Sequence, residues 1–254
     1  MKDQVVIITG GSSGMGKAMA KKFALNGANV VITGRNEERL EVARDEIQQF
    51  KGQVLTVPMD VRNPEQVKVM VEETVRAFGK IDHLVNNAAG NFICPAEDLS
   101  VNAWNAVINI VLNGTWYCSQ EVGKHWIASQ TKGSILNIIA TYAWRSGEGV
   151  IHSACAKSGV LTMTRTLAVE WGKKYGIRTN AIAPGPIENT GGMDKLFQGE
   201  ETMKQTIESV PLGRVGQPEE IANLAAFLLS PETEYINGDC ITMDGGQWLN
   251  QPAF

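Results

Sequence analysis

Short β-branched runs, apolar on both faces, alternate along the chain with longer stretches whose apolar residues recur at helical spacing. The pattern predicts strands at Val5–Thr9, Asn29–Thr33, Val54–Val57, His83–Asn86, Ser134–Ile139, Arg178–Ile182 and Cys240–Met243. Between them it predicts helices at Gly14–Asn26, Glu37–Phe50, Pro64–Phe78, Val101–Ala128, His152–Lys174 and Pro218–Leu229. The punctuation agrees: Asn63-Pro64 and Gln217-Pro218 open helices, and Gly27, Gly52, Gly79 and Gly176 follow helix ends. Strands that are apolar on both sides and separated by helices imply a parallel sheet covered on both faces, the doubly wound α/β class. Only Glu188–Glu208 breaks the alternation, with Gly191-Gly192 and few strong apolar positions before a short helix. That segment is expected to form a lid over a substrate.

At 254 residues, with 43% hydrophobic and 20% charged positions, the chain suits one domain with a full core, spanning 1–254. A net charge of -4 offers no electrostatic reason to expect nucleic acid or an anionic membrane as partner. Cys94, Cys118, Cys155 and Cys240 are far apart and contain no C-x-x-C pair, so they are expected to be free thiols of a reducing compartment. His83, His125 and His152 show no metal-ligand spacing, and no metal is expected. The first strand is too short and too soon broken by Gly10 for a signal peptide, and no apolar run approaches the ~20 residues of a membrane span. A cytoplasmic protein is expected.

The chemistry begins where the first strand runs into Thr9-Gly10-Gly11-Ser12-Ser13-Gly14-Met15-Gly16. Glycines there let the backbone approach a pyrophosphate, the following helix directs its free N–H groups at it, and Ser12 and Ser13 add hydroxyls. The second strand ends in Thr33-Gly34-Arg35-Asn36, without the acidic residue that would hold a ribose diol. An arginine at this point suits a 2′-phosphate, so NADPH is the expected cofactor, with Lys17 and Arg39 in support. Asp60 and Val61 follow the third strand, placed to meet the adenine. Asn87, Ala88 and Gly90 end the fourth strand, and Pro184, Gly185 and Ile187 follow the sixth.

Together these spacings resemble the short-chain dehydrogenase/reductase family over essentially the whole chain. The resemblance implies a single Rossmann-type doubly wound domain with a seven-stranded parallel sheet, and a homotetramer. The family's usual chemistry takes a tyrosine four residues before the lysine on one helix and a serine about thirteen residues before that tyrosine. Here those places hold Ser153, with Lys157 as the lysine, and Ala140; Val111 stands where an asparagine is usual.

Tyr142 lies two residues past the serine position at the end of the fifth strand, and Asn91 follows Gly90 at the end of the fourth. This departure resembles one subgroup, the 2,4-dienoyl-CoA reductases. Its motifs are matched by Asn87-Ala88-Ala89-Gly90-Asn91-Phe92, Val111-Leu112-Asn113-Gly114-Thr115, Tyr142 and Ser153-Ala154-Cys155-Ala156-Lys157. Pro184-Gly185-Pro186-Ile187, Ile236-Asn237-Gly238 and Asp244-Gly245-Gly246 fit it as well. Trp144-Arg145 departs from the subgroup, where small or acidic residues are common, and bears on which acyl chains are accepted.

The resemblance implies NADPH-dependent reduction of a 2,4-dienoyl-CoA thioester to a 3-enoyl-CoA. Asn91 and Tyr142 would serve the thioester oxygen, Ser153 the nicotinamide amide or a water, and Lys157 the nicotinamide ribose. Arg62 and Lys195 are candidates for the coenzyme A phosphates, and Phe92 and Ser100 for the substrate channel. Two other readings stay open: a 3-oxoacyl or carbonyl reductase with Tyr142 as relocated acid, and an inactive NADPH-binding sensor or structural subunit.

Overall fold

The computed structural model describes residues 1–145, 147–191 and 199–250. Strands β1 (Val5–Thr9), β2 (Asn29–Gly34), β3 (Val54–Pro58), β4 (His83–Asn86), β5 (Ser134–Ile138), β6 (Arg178–Pro184) and β7 (Cys240–Met243) form one sheet. Their order is β3-β2-β1-β4-β5-β6-β7, and every neighbouring pair is parallel. The helices are α1 (Gly14–Leu25), α2 (Glu37–Ile47), α3 (Pro64–Phe78), α4 (Val101–Ile108), α5 (Gly114–Ser129), α6 (Ile151–Tyr175), α7 (Glu200–Ser209) and α8 (Pro218–Leu228). Alternate strand residues feed two cores. Val6, Ile8, Val30 and Ile32 meet α1, α2 and α8, while Val5, Ile7 and Val31 meet α3 and α5 on the other face. Two-sided burial is why the strands read as continuous apolar runs.

Helix ends follow the local chemistry. The Asn63 side chain accepts from the backbone N–H groups of Glu65 and Gln66 ahead of Pro64, and α3 stops at Gly79 in the left-handed region, φ 76°. The expected single helix over 101–128 is interrupted by a π turn, Asn109–Asn113. There the Thr115 hydroxyl donates to the Val111 carbonyl at 2.7 Å, and Gly114 sits so close to Val61 that a Cβ would lie 2.7 Å from its Cγ2. Apolar periodicity does not distinguish one widened turn from a continuing α-helix. In the segment expected as a lid, residues 192–198 lie outside the described residues, and α7 occupies its far end.

The chain order reverses at β1, whose two neighbours are β2 and β4, and ligand crevices of open α/β sheets form at such a point beyond the strands' carboxyl ends. A buried amide chain runs beneath that edge. Asn86 donates through Nδ2 to Ser119 Oγ and Asn137 Oδ1, both at 2.9 Å, and Asn137 Nδ2 donates to Thr164 Oγ1 at 2.9 Å. It joins β4 and β5 to α5 and α6. Asn137→Ala strips partners from two buried groups, so a loss of about 2 kcal/mol or more is expected. Urea unfolding should show it as a lower midpoint at an unchanged m-value.

Candidate active site

The carboxyl ends of β1, β2, β3, β4, β5 and β6 surround a cleft of about 490 Å³. Arg35 and Asp60 line one end, and Tyr142 and Gln247 line the other. The glycine turn folds as the cofactor reading requires. Gly10 and Gly14 adopt positive φ (66° and 50°), which suits residues without a Cβ. Ser12, Ser13, Gly14 and Met15 line the cleft at the start of α1, whose first turn has no acidic residue to repel a phosphate. Gly16 does not line it; a Cβ there would collide with the Gly10 carbonyl, so this glycine serves helix–strand packing. Asn87 lines the cleft with Ala88 and Gly90, but its carboxamide donates to the carbonyls of Thr9 (3.0 Å) and Gly10 (3.2 Å), fixing the turn to β4. Val61, Pro184, Gly185 and Ile187 also lie on the wall.

At the β2 end, Arg35, Asn36 and Arg39 line the cleft, and both arginines are exposed. The nearby carboxylate is already neutralised. Arg62 Nε donates to both Asp60 oxygens (3.0 and 2.9 Å) and Nη2 donates to Oδ2 at 2.5 Å. That hydrogen bonding holds the Asp60 carboxyl below its usual range. These residues fit a cofactor bearing a 2′-phosphate: two cations without a competing free acid. Lys17 is not among them, since its ammonium is spent on Glu46 at 3.0 Å.

At the other end, β5 passes into a short turn, Thr141–Ala143, that carries Tyr142. The Ser158 hydroxyl donates to the Ala143 carbonyl at 2.5 Å and pins this turn to α6. Asn91 Nδ2 donates to the Tyr142 hydroxyl at 3.4 Å, and that hydroxyl lies 3.2 Å from Ser153 Oγ. Burial pushes the Tyr142 pKa up, opposed in part by the hydrogen bonds to Ser153 and Asn91. The phenol therefore keeps its proton at neutral pH and can donate it. Lys157 is buried, donates to the Ile138 carbonyl at 2.6 Å, and is pulled by burial down to about 8. All four residues line the same cleft.

Three expected substrate residues are not brought to it. Arg62 is held by Asp60. Phe92 stacks on His152 with ring centroids 4.4 Å apart, while its N–H donates to Asn91 Oδ1 at 2.9 Å. Ser100 caps α4, its hydroxyl accepting from Ala103 N at 3.2 Å. None of them lines the cleft, and Lys195 lies outside the described residues. Sequence reasoning missed Ile110, Thr190 and Gln247, which do. Ile110 arrives through the π turn and Gln247 from the far C-terminal segment, contacts that no local motif announces. The four cysteines are free thiols. Among the described residues no group of acidic, histidine or cysteine side chains could hold a metal, and no helix is long and apolar enough to cross a membrane.

A doubly wound sheet with a glycine turn and a cleft at its carboxyl edge has the architecture of a dinucleotide-binding fold. The family described as Enoyl-(Acyl carrier protein) reductase matches residues 10–247. A Bacillus subtilis protein named "Probable 2,4-dienoyl-CoA reductase [(2E)-enoyl-CoA-producing]" is 66% identical over 254 residues, covering 100% of both chains. A Caenorhabditis elegans protein named "Probable 2,4-dienoyl-CoA reductase 3 [(3E)-enoyl-CoA-producing]" is 44% identical over 97% of this chain and 81% of its own. The crystal structure of a short chain dehydrogenase from Bacillus anthracis superposes with TM-score 0.91 at 65% identity, covering 98% of each chain. The chain belongs to the short-chain dehydrogenase/reductase family, in its 2,4-dienoyl-CoA reductase subgroup.

The buried lysine has a consequence for stability. With a folded pKa near 8, against ~10.4 for an unfolded lysine, the unfolded chain binds more protons between those values. Stability due to this residue therefore rises with pH through that window. Paired urea unfolding of the cofactor-free protein and Lys157→Met should show the parent gaining on the variant, by roughly 3 kcal/mol across the full window. A difference independent of pH would refute it.

Proposed function

We propose that the protein reduces 2,4-dienoyl-CoA thioesters with NADPH, in the oxidation of unsaturated fatty acids. The observation that carries this reading is the Asn91–Tyr142–Ser153 array, with a serine where a carbonyl reductase of the family keeps its tyrosine. The glycine turn with Ser12 and Ser13, and Arg35 with Arg39, would hold NADPH, which would supply the hydride that the δ carbon of the conjugated thioester takes up. The resulting negative charge arrives at the thioester oxygen, as a dienolate. Asn91 and Tyr142 direct an N–H and an O–H at that oxygen, and stabilising developing charge in a dry site is commonly the largest catalytic contribution. Lys157 is assigned to the nicotinamide ribose and Ser153 to the Tyr142 hydroxyl or an ordered water.

Protonation completes the reaction, by Tyr142 or by a water it holds. A donor already at the carbonyl stands nearest the α carbon, and protonation there leaves a 3-enoyl thioester. The Bacillus subtilis relative's name, with its 2-enoyl product, favours a second outcome in which the γ carbon takes the proton. We place the enzyme in the cytoplasm, in keeping with its free thiols, as a homotetramer like other members of the family.

The test is NADPH oxidation with a 2,4-dienoyl-CoA beside a 3-oxoacyl-CoA control, followed by NMR of the product. Cofactor deuterated at the transferring carbon should label the δ carbon, with the new C–H at the α carbon. Faster turnover of the 3-oxoacyl substrate with label at its carbonyl carbon would establish the relocated-acid ketone reductase instead. Tyr142→Phe and Asn91→Ala should each lower kcat by ~10²–10³ with NADPH affinity almost unchanged, since both act on charge present only during reaction. Full activity in Tyr142→Phe would end this account of the site.

NADPH should bind far more tightly than NADH, because Arg35 and Arg39 face the cleft while Asp60 is engaged by Arg62. Arg35→Ala removes a charged hydrogen bond worth about 1.5–3 kcal/mol, so calorimetry should find the gap between the two cofactors narrowed by one to two orders of magnitude. Equal affinities in the parent protein would overturn the NADPH assignment.

A further inference from the structure

Tyr142 is continuous with an apolar edge that the reaction itself does not use. Beyond Ala143 the chain folds back on this turn, Trp144 N and Arg145 N both donating to the Thr141 carbonyl at 3.2 and 3.0 Å. Trp144 is 38% exposed and meets Trp248 edge-on, with ring centroids 6.0 Å apart and planes at 85°. Arg145 Nη1 donates to the Gln247 carbonyl at 2.8 Å, so the segment after Tyr142 is tied to the C-terminal turn.

That turn is a built feature. The buried Asp244 carboxylate accepts from Gly246 N and Trp248 N at 2.9 and 2.7 Å, and Gln247 Nε2 donates to Ser209 Oγ at 2.8 Å at the end of α7. Gln247 lines the cleft at the end away from Arg35, so the tryptophan pair stands just past the cavity's lining. Leu212, whose N–H donates to the Gly245 carbonyl, is 68% exposed, and Leu249 is 67% exposed. Exposed apolar side chains therefore lie on the segments that flank Gln247.

We infer that Trp144 and Trp248, held by the Arg145–Gln247 hydrogen bond, form a platform for the distal alkyl chain of the acyl substrate and set its preferred length. The inference rests on the dienoyl-CoA reading above. A chain with its thioester oxygen at Asn91 and Tyr142 and its diene along the cleft must send its remaining methylenes out past Gln247. There they find large apolar faces already half-dried by their contact with one another. A short chain ends before it reaches them. Trp144 and Trp248 are thus specificity-determining residues that never touch the reacting atoms.

The experiment compares six-carbon and fourteen-carbon 2,4-dienoyl-CoA thioesters with NADPH, for the parent, Trp144→Ala, Trp144→Leu and Trp248→Ala. Both alanine variants should lose about tenfold in kcat/KM for the long chain, through KM, and nothing for the short one, while Trp144→Leu keeps much of the preference. A structural role alone would depress both substrates together; that outcome, an unaltered length profile, or a gain on the long chain overturns the inference. If Trp144→Ala fails to fold, Trp248→Ala carries the same test. Turnover of neither thioester by the parent overturns the dienoyl-CoA reading itself. A flat profile with active parent enzyme overturns only the platform.

Discussion

Four polar side chains of the cleft hang from three elements, and the buried amide chain of Asn86, Asn137 and Thr164 holds those elements in register. Asn91 follows β4, Tyr142 follows β5, and Ser153 with Lys157 rides on α6. Asn86 and Asn137 are directly paired across the two strands, so a shift of one strand would misalign the amides and the site together. Apolar packing tolerates small slips; a chain of directional hydrogen bonds in a dry interior does not, because each broken bond leaves a desolvated group behind. Precision in the cleft thus originates below it.

At the Tyr142 end of the cleft Ser153 and Lys157 are buried. Burial keeps Tyr142 protonated and makes the Lys157 ammonium costly, while the acid–base pairs sit at the other end of the cleft and on the surface. A neutral donor pair suits charge that appears only during reaction. In the ordinary family arrangement the acid and the lysine share one helix face. Here the phenol comes from the β5 turn and reaches Ser153 across 11 positions of sequence, while the lysine and the glycine turn keep the family's positions. Ser158, clamping the Ala143 carbonyl from α6, is what makes a loop residue as well placed as a helical one.

The seven strands were legible because two-sided burial writes an apolar run that few other arrangements need. Three strand ends moved outward where pairing continued beyond the apolar stretch, as in β6, which runs on to Pro184 opposite Met243, and β5 stops one residue short of the expected Ile139. The glycine turn, Arg35, Asn91, Tyr142, Ser153 and Lys157 were equally legible, since each sits at a fixed offset from a strand end or within one helix. Arg62, Phe92 and Ser100, expected at the substrate, lie off the cleft's lining. Their immediate neighbours, Asp60, His152 and the α4 N-terminus, satisfy them first, and a position along the chain does not disclose such competition.

By itself the sequence determined the doubly wound sheet, the edge of it where the cleft opens, most of the residues expected to line that cleft and the absence of the family's usual tyrosine. These follow from period, from backbone freedom at glycine and from short offsets, all of them local. Only the tertiary structure decided that Gly16 packs against the Gly10 carbonyl, that Lys17 belongs to Glu46, that the helix after Val101 opens into a π turn, that Gln247 reaches the cleft from the far end of the chain, and that Trp144 meets Trp248. Those outcomes depend on which distant groups arrive first at one another. That is a matter of three-dimensional packing and of satisfying buried polar atoms, which no local pattern encodes.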